Sequence, residues 1–279
     1  MNKFLVAFDG LKFDQISQEY SIALAKITHA FLEAVFLDDQ SYKSYKIYDL
    51  IVQGEFSADK LKKLSRADVD KRQMSTKKFK DAVKLAKVQF GIRHDKKIAI
   101  NELIHETIYA DMLFISSAES FSPYDDLPPS RFLKDLLSNA QCPVFLTPKH
   151  YHPIEKIIFL YDGHASSIYA IKMFGYLFSQ YFNLPVELVC VKSNDDNLHL
   201  PDHHLVKELL NKYYPSYECI VLKGIPEEEI IKRLQREEKH CLLVLGAYRR
   251  TVISRWFRSS LADAIIKQID MPLFIAHNK

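Results

Sequence analysis

The chain repeats itself, and that limits it to folds that can be built twice. Lys3–Gly10 reads KFLVAFDG and Lys156–Gly163 reads KIIFLYDG. Each is an apolar run closed by Asp-Gly. A polar turn and a helix-period segment follow, sharing Tyr-x-Ile at Tyr20–Ile22 and Tyr169–Ile171. The far ends match as well. DMLFIS from Asp111 and CLLVLG from Cys241 each lead through a polar loop and a helix to a strand opened by proline, Pro143 or Pro272. Ser116 stands 14 positions before Ser130, and Gly246 stands 14 before Ser260. Asp9 to Ser116 spans 107 positions against 84 from Asp162 to Gly246, so the extra length falls in the middle of the first half.

Runs such as FLVAF and LLVL are nearly continuous in apolar residues, which suits strands covered on both faces in a parallel sheet. Strands alternate with helix-period segments, giving βαβαβαβαβ in each half and a doubly wound α/β unit with right-handed crossovers. The strands are expected at 3–8, 32–37, 97–100, 111–115 and 143–147 in the first half. In the second they are expected at 156–161, 186–191, 217–222, 241–246 and 272–276, with helices near 166–182, 202–214, 226–238 and 259–269. Proline at the head of strand five places that strand at the edge of its own half. The stretch 148–155 carries two prolines and no periodicity, dividing the chain into domains 1–148 and 154–279.

The net charge of +3 on 279 residues does not by itself argue for a nucleic-acid or membrane partner. No apolar run approaches the ~18 residues that cross a bilayer. The opening MNKFLVAFDGLK is too short in its apolar stretch for a signal peptide and is broken by Asp9, so a cytoplasmic protein is expected. Cys142, Cys190, Cys219 and Cys241 form no CxxC pair, and free, largely buried thiols are expected. With only 7 glycines, the chain holds no GxGxxG, Walker loop or GxSxG. HETIY from His105 has Tyr109 where a zinc-protease helix needs its second histidine.

Two βαβαβαβαβ units that each begin strand–Asp-Gly resemble a tandem universal stress protein. VLKGIPEEEIIKRL resembles the family's passage from strand three into helix three, and CLLVLGAYRRTVISRWFRSSLADAIIKQIDMPLFIAH its final segment. The resemblance implies two five-stranded parallel sheets of order 3-2-1-4-5 related by a pseudo-two-fold, and no catalytic metal. It implies pairing through strand five, which two halves of one chain can satisfy between themselves; a further homodimer is compatible with it. Neither a membrane nor a nucleic acid is expected as partner.

Many members of that family bind ATP with Gly-x-x-Gly, nine residues, then Gly and Ser or Thr. The ligand lies where the strand order reverses, and glycines and the next helix offer backbone N–H groups to phosphates. The aspartate after strand one meets the adenine, assisted by a backbone group after strand two. Carried onto the second half, these positions are Asp162, Val191, Gly246, Arg249, Ser259 and Ser260; the second and third glycines are thus Arg249 and Ser259. In the first half they are Asp9, Ser116, Glu119, Pro129 and Ser130, where no glycine remains and Glu119 opposes a phosphate by charge. A nucleotide, ATP or another adenine nucleotide, is therefore expected in the second half alone, with no metal except one carried on it. Arg249, Arg250, Arg255 and Arg258 leave two readings open. Their guanidinium groups bind phosphate directly, or they form a solvated or docked loop, docking being favoured by Trp256 and Phe257.

Three further segments invite other chemistry. A basic helix can track a phosphate backbone, but the lysine-rich stretch 59–87 reads better as a solvated helical face, with Leu61, Leu64, Val83 and Leu85 for packing. His199 and His203 have i, i+4 spacing, but Pro201 stands between them, so a metal site is not expected. The tyrosine-rich stretch 42–56 covers the first half's cleft, meets a partner, or is a packed excursion. The resulting expectation is a non-enzymatic stress-response regulator or interaction module, with an adenine-nucleotide hydrolase on the same fold as the alternative.

Overall fold

Each apolar run forms a strand whose successive side chains serve opposite faces of one sheet. The computed structural model describes residues 1–37, 58–95, 99–121, 127–192, 199–237, 240–246 and 259–276. In the first half, β1 (Lys3–Phe8), β2 (Phe31–Leu37), β3 (Phe90–Asp95), β4 (Met112–Ser116) and β5 (Val144–Thr147) alternate with α1 (Gln15–Thr28), α2 (Ala58–Ala86), α3 (Ala99–Glu106) and α4 (Arg131–Asn139). In the second, β6 (Lys156–Leu160), β7 (Val186–Lys192), β8 (Tyr217–Lys223), β9 (Cys241–Leu245) and β10 (Leu273–Ile275) alternate with α5 (Ala165–Leu177), α6 (His203–Tyr213), α7 (Pro226–Gln235) and α8 (Ser259–Gln268).

The sheet order is β3-β2-β1-β4-β5-β10-β9-β6-β7-β8, so each half has the order 3-2-1-4-5. Every pairing within a half is parallel. The halves join where β5 and β10 run antiparallel, with Phe145 opposite Phe274. Leu5, Leu113, Leu243 and Leu273 face one core, closed by α3, α4, α7 and α8. Phe4, Phe114, Phe159 and Phe274 face the other, closed by α1, α2, α5 and α6.

The seam has polar fasteners. Lys134 on α4 pairs with Asp263 on α8 at 3.0 Å. The Lys149 amide donates to Asp270. The buried Tyr20 hydroxyl donates to the His152 carbonyl at 2.8 Å and accepts from the His152 amide. The linker is thereby tied to both halves.

The two copies also share an ion cluster at the amino ends of their strands. In the first, Lys3 and Arg93 meet Glu33, and Arg93 also meets Glu106. In the second, Lys156 and Arg233 meet Glu187, and both also meet Glu237. Glu33 lies opposite Leu5 in register, and Glu187 lies opposite Ile158.

Two local expectations fail. Strand three of the first half is Phe90–Asp95, not 97–100, and Ala99 begins a helix. FGIRHD is an edge strand with no buried residue, so its apolar signal is weak, whereas Ala99 and Leu103 are buried at helical spacing. On α2, the packing face is Ser75, Phe79 and Val83, while Leu85 is 87% exposed. The side chains of Leu61 and Leu64 and the stretch 42–56 lie outside the described residues.

Candidate functional site

The β6–α5 turn builds the second-half site. β6 ends at Leu160, and the chain turns through Gly163 at φ +82°, a conformation suited to glycine. Asp162 is buried here. Its Oδ1 accepts the His164 amide at 3.0 Å and the Ser167 hydroxyl at 2.8 Å. Its Oδ2 is also buried and has no hydrogen-bond donor among the described residues. His164 caps α5 by position without a side-chain hydrogen bond.

Gly246, at the end of β9, lies against the first turn of α5. A Cβ at this position would sit 2.3 Å from the Ser166 carbonyl oxygen and 2.7 Å from the Ser167 nitrogen. Glycine is therefore required for helix–strand approach, and the space beside it holds the chain's own backbone. Asp162 and Gly246 thus grip the same turn of α5 from two sides. Val191 is fully buried and registered on Leu222, one residue inside the end of β7. Ser259 and Ser260 open α8. Arg249, Arg250, Arg255, Trp256, Phe257 and Arg258 lie outside the described residues.

The first-half site is closed by its own chain. Asp9 Oδ1 accepts the Leu11 amide at 2.8 Å. Glu119 is buried, and its Oε1 accepts the amides of Ser120 and Phe121, each at 3.0 Å. A carboxylate thus takes backbone donors of the kind a phosphate would take. Ser130 caps α4 through the Leu133 amide and donates its hydroxyl to the Glu119 carbonyl at 2.6 Å. Burial pushes the Glu119 carboxyl up to about 7, Asp9 adds to the shift, and Lys12 offsets part of it. From α2, Ser75 donates to the Gly10 carbonyl at 2.8 Å across the turn.

Sequence reasoning misses Ser75, Ser167 and the filled loop at Glu119. Ser167 is legible in part, as a hydroxyl beside a helix start after Asp-Gly; Ser75 lies inside a lysine-rich segment with no local signal. A cavity of about 560 Å³ also opens between α5 and α6, lined by Tyr161, His164, Tyr169, Lys172, Asp202 and Leu205 among others. Asp162, Val191 and Gly246 do not line it. Between α1 and α2 of the first half, Phe13 and Phe79 pack against Phe8. Among the described residues no group of three or more His, Cys, Asp or Glu could hold a metal ion, and no helix is long and apolar enough to cross a membrane.

Comparison with known proteins agrees with this architecture. Residues 192–277 match the model of the universal stress protein family. Universal stress protein Slr1230 of Synechocystis sp. (strain ATCC 27184 / PCC 6803 / Kazusa) is 23% identical over 289 residues, spanning 98% of this chain and 99% of that protein. A universal stress protein from Archaeoglobus fulgidus DSM 4304 shares the fold over 100% of this chain and 99% of its own, with a TM-score of 0.73 at 13% identity. A putative universal stress protein from Pseudomonas aeruginosa UCBPP-PA14 covers 99% of this chain and 93% of its own, with a TM-score of 0.56 at 11% identity.

Proposed function

We propose that this chain, whose residues 192–277 match the universal stress protein family model and which is similar over 98% of its length to a universal stress protein, is a cytoplasmic, non-enzymatic stress-response regulator of that family. In this reading it binds ATP or another adenine nucleotide in its second half only. The observation that carries the reading is the Asp162 carboxylate, with one oxygen engaged in the turn and the other buried without a donor among the described residues. Leaving a buried acceptor unmatched costs about 1–3 kcal/mol, and more for a charged one. A ligand amine, such as the exocyclic amine of adenine, supplies the missing donor. Ser259 and Ser260 open a helix whose free amides suit an anion. The first half lacks this opening, because Glu119 occupies its loop.

The test begins with denaturing the purified chain and identifying any released nucleotide. ATP is then titrated calorimetrically into wild type, Asp162→Ala and Asp162→Asn. Asparagine keeps an acceptor for the turn but presents an amide donor to the ligand. Wild type is expected to bind, and both variants to lose tenfold or more. No binding to wild type sinks the reading. Steady hydrolysis of the bound nucleotide would replace the regulator with a hydrolase.

A further inference from the structure

The chain's small net charge conceals a strong local one. The sequence of α2 holds ten Lys and Arg against four Asp, a surplus of six. The whole chain has a surplus of 3, so everything outside this helix carries a deficit of 3. The corresponding helix of the second half, α6, has 11 residues against 29 in α2.

Among the described side chains of α2, the buried ones begin at Ser75. Ser75, Phe79 and Val83 are buried at i, i+4 and i+8. Among its described side chains before Ser75, none is buried. On the side of the helix opposite Phe79, the 3.6-residue period gathers Lys63, Arg66, Lys77 and Lys84, flanked by Lys62 and Lys80. All six are exposed, and among the described residues none makes an ion pair or side-chain hydrogen bond. Asp70 and Asp81 are exposed on the same side, so among the described residues these six cations stand against two carboxylates. From Lys63 to Lys84 the row spans roughly 30 Å at about 1.5 Å per residue, comparable to one turn of duplex at about 34 Å. The sequence reads this stretch as a solvated face. The structure adds that these six cations are aligned and, among the described residues, unpaired.

We propose that the outer face of α2 is a docking surface for the phosphate backbone of a nucleic acid, read by charge and not by sequence. Unpaired cations on a rigid rod release phosphate counterions on binding, without first breaking ion pairs of their own. A lipid surface fits less well. A helix lying in a membrane interface needs a continuous apolar face, and the exposed apolar residues here are scattered: Val69 stands on one flank, with Met74 and Leu85 towards the other. The inference is independent of nucleotide binding, because α2 belongs to the first half.

The experiment measures fluorescence anisotropy of a labelled duplex of about 20 base pairs with the full chain, between about 25 and 200 mM KCl. Wild type should bind in the micromolar range at the low end, with log affinity falling linearly in log salt. Lys63→Gln, Arg66→Gln, Lys77→Gln and Lys84→Gln combined should weaken binding at least tenfold and flatten the slope by about 3 to 4, at ~0.9 for each phosphate no longer neutralised. An all-lysine variant, Arg66→Lys, should retain binding. The positions are exposed and unpaired, so thermal denaturation of the variants should match wild type. Absence of duplex binding at the lowest salt overturns the proposal, as does an unchanged slope in the quadruple variant. Binding to phosphatidylserine vesicles without binding to the duplex overturns it in favour of a lipid surface.

Discussion

Replacing Glu119 with glutamine tests how the first half is closed. Glu119 is buried, with its carboxyl pushed from 4.5 to about 7 by burial first and by Asp9 second. That displacement corresponds to about 3 kcal/mol at ~1.36 kcal/mol per pH unit. The folded state holds the proton more tightly than the unfolded state. This contribution to stability is therefore fully present below about pH 4.5, declines as pH rises, and is gone above about pH 7. Glutamine keeps an oxygen for the Ser120 and Phe121 amides and cannot ionise. Urea unfolding of wild type and Glu119→Gln at matched pH should show the variant gaining on wild type by about 3 kcal/mol between pH 4.5 and 8, levelling off above pH 7. Taking the difference cancels the other titrating groups, provided they do not touch Glu119. A difference that stays flat with pH would refute the buried-proton account. It would mean that the Phe121 and Ser120 amides, with Lys12, fully compensate the ionised carboxylate.

Three other perturbations follow from the geometry. Gly246→Ala places a methyl 2.3 Å from the Ser166 carbonyl; forcing β9 from α5 should cost about 1–3 kcal/mol or more in thermal denaturation. Glu187→Gln leaves Lys156 and Arg233 short of an anion in a mostly buried cluster and should cost about 3 kcal/mol in urea unfolding. Lys134→Ala removes a half-exposed pair with Asp263, and a change in stability above ~1 kcal/mol would contradict its reading as a surface pair.

The fold was legible because its signals are redundant. Strand runs, Asp-Gly turns and proline-led final strands occur twice, so each copy checks the other. The reading failed where burial is one-sided. β3 is an edge strand and shows little apolar periodicity, while the helix beginning at Ala99 opens on residues that look like a strand. The site was legible at Asp162 and Gly246, whose residue types are constrained by a turn and a close approach. It was not legible at Glu119. The sequence places a carboxylate where a phosphate would sit, but only the fold shows that the carboxylate has turned inward to take the loop's own donors. Phe79 and Ser75 were hidden in the lysine-rich segment, because the three buried positions among its described side chains barely disturb a polar composition.

One short difference in chain length explains much of the divergence between the two clefts. From the aspartate after the first strand to the shared tyrosine is 11 positions in the first half, Asp9 to Tyr20, and 7 in the second, Asp162 to Tyr169. With the shorter turn, α5 starts three residues after its aspartate, and its first turn presses on β9 so closely that only Gly246 fits. With the longer turn, α1 starts six residues after Asp9, capped by Asp14, whose carboxylate accepts the Ile16 and Ser17 amides. Ser116, not glycine, then stands at the end of β4, and Glu119 and Ser75 reach the vacated space. The ion clusters at the opposite ends of the strands lie far from this change and keep the same Lys–Glu–Arg pattern in both halves. A graft follows from this logic. Deleting four residues from 10–14 together with Ser116→Gly should draw α1 towards β4, whereas either change alone should destabilise the chain. Double-mutant-cycle analysis of thermal stability reads the coupling, and additive effects would break the link between turn length and glycine.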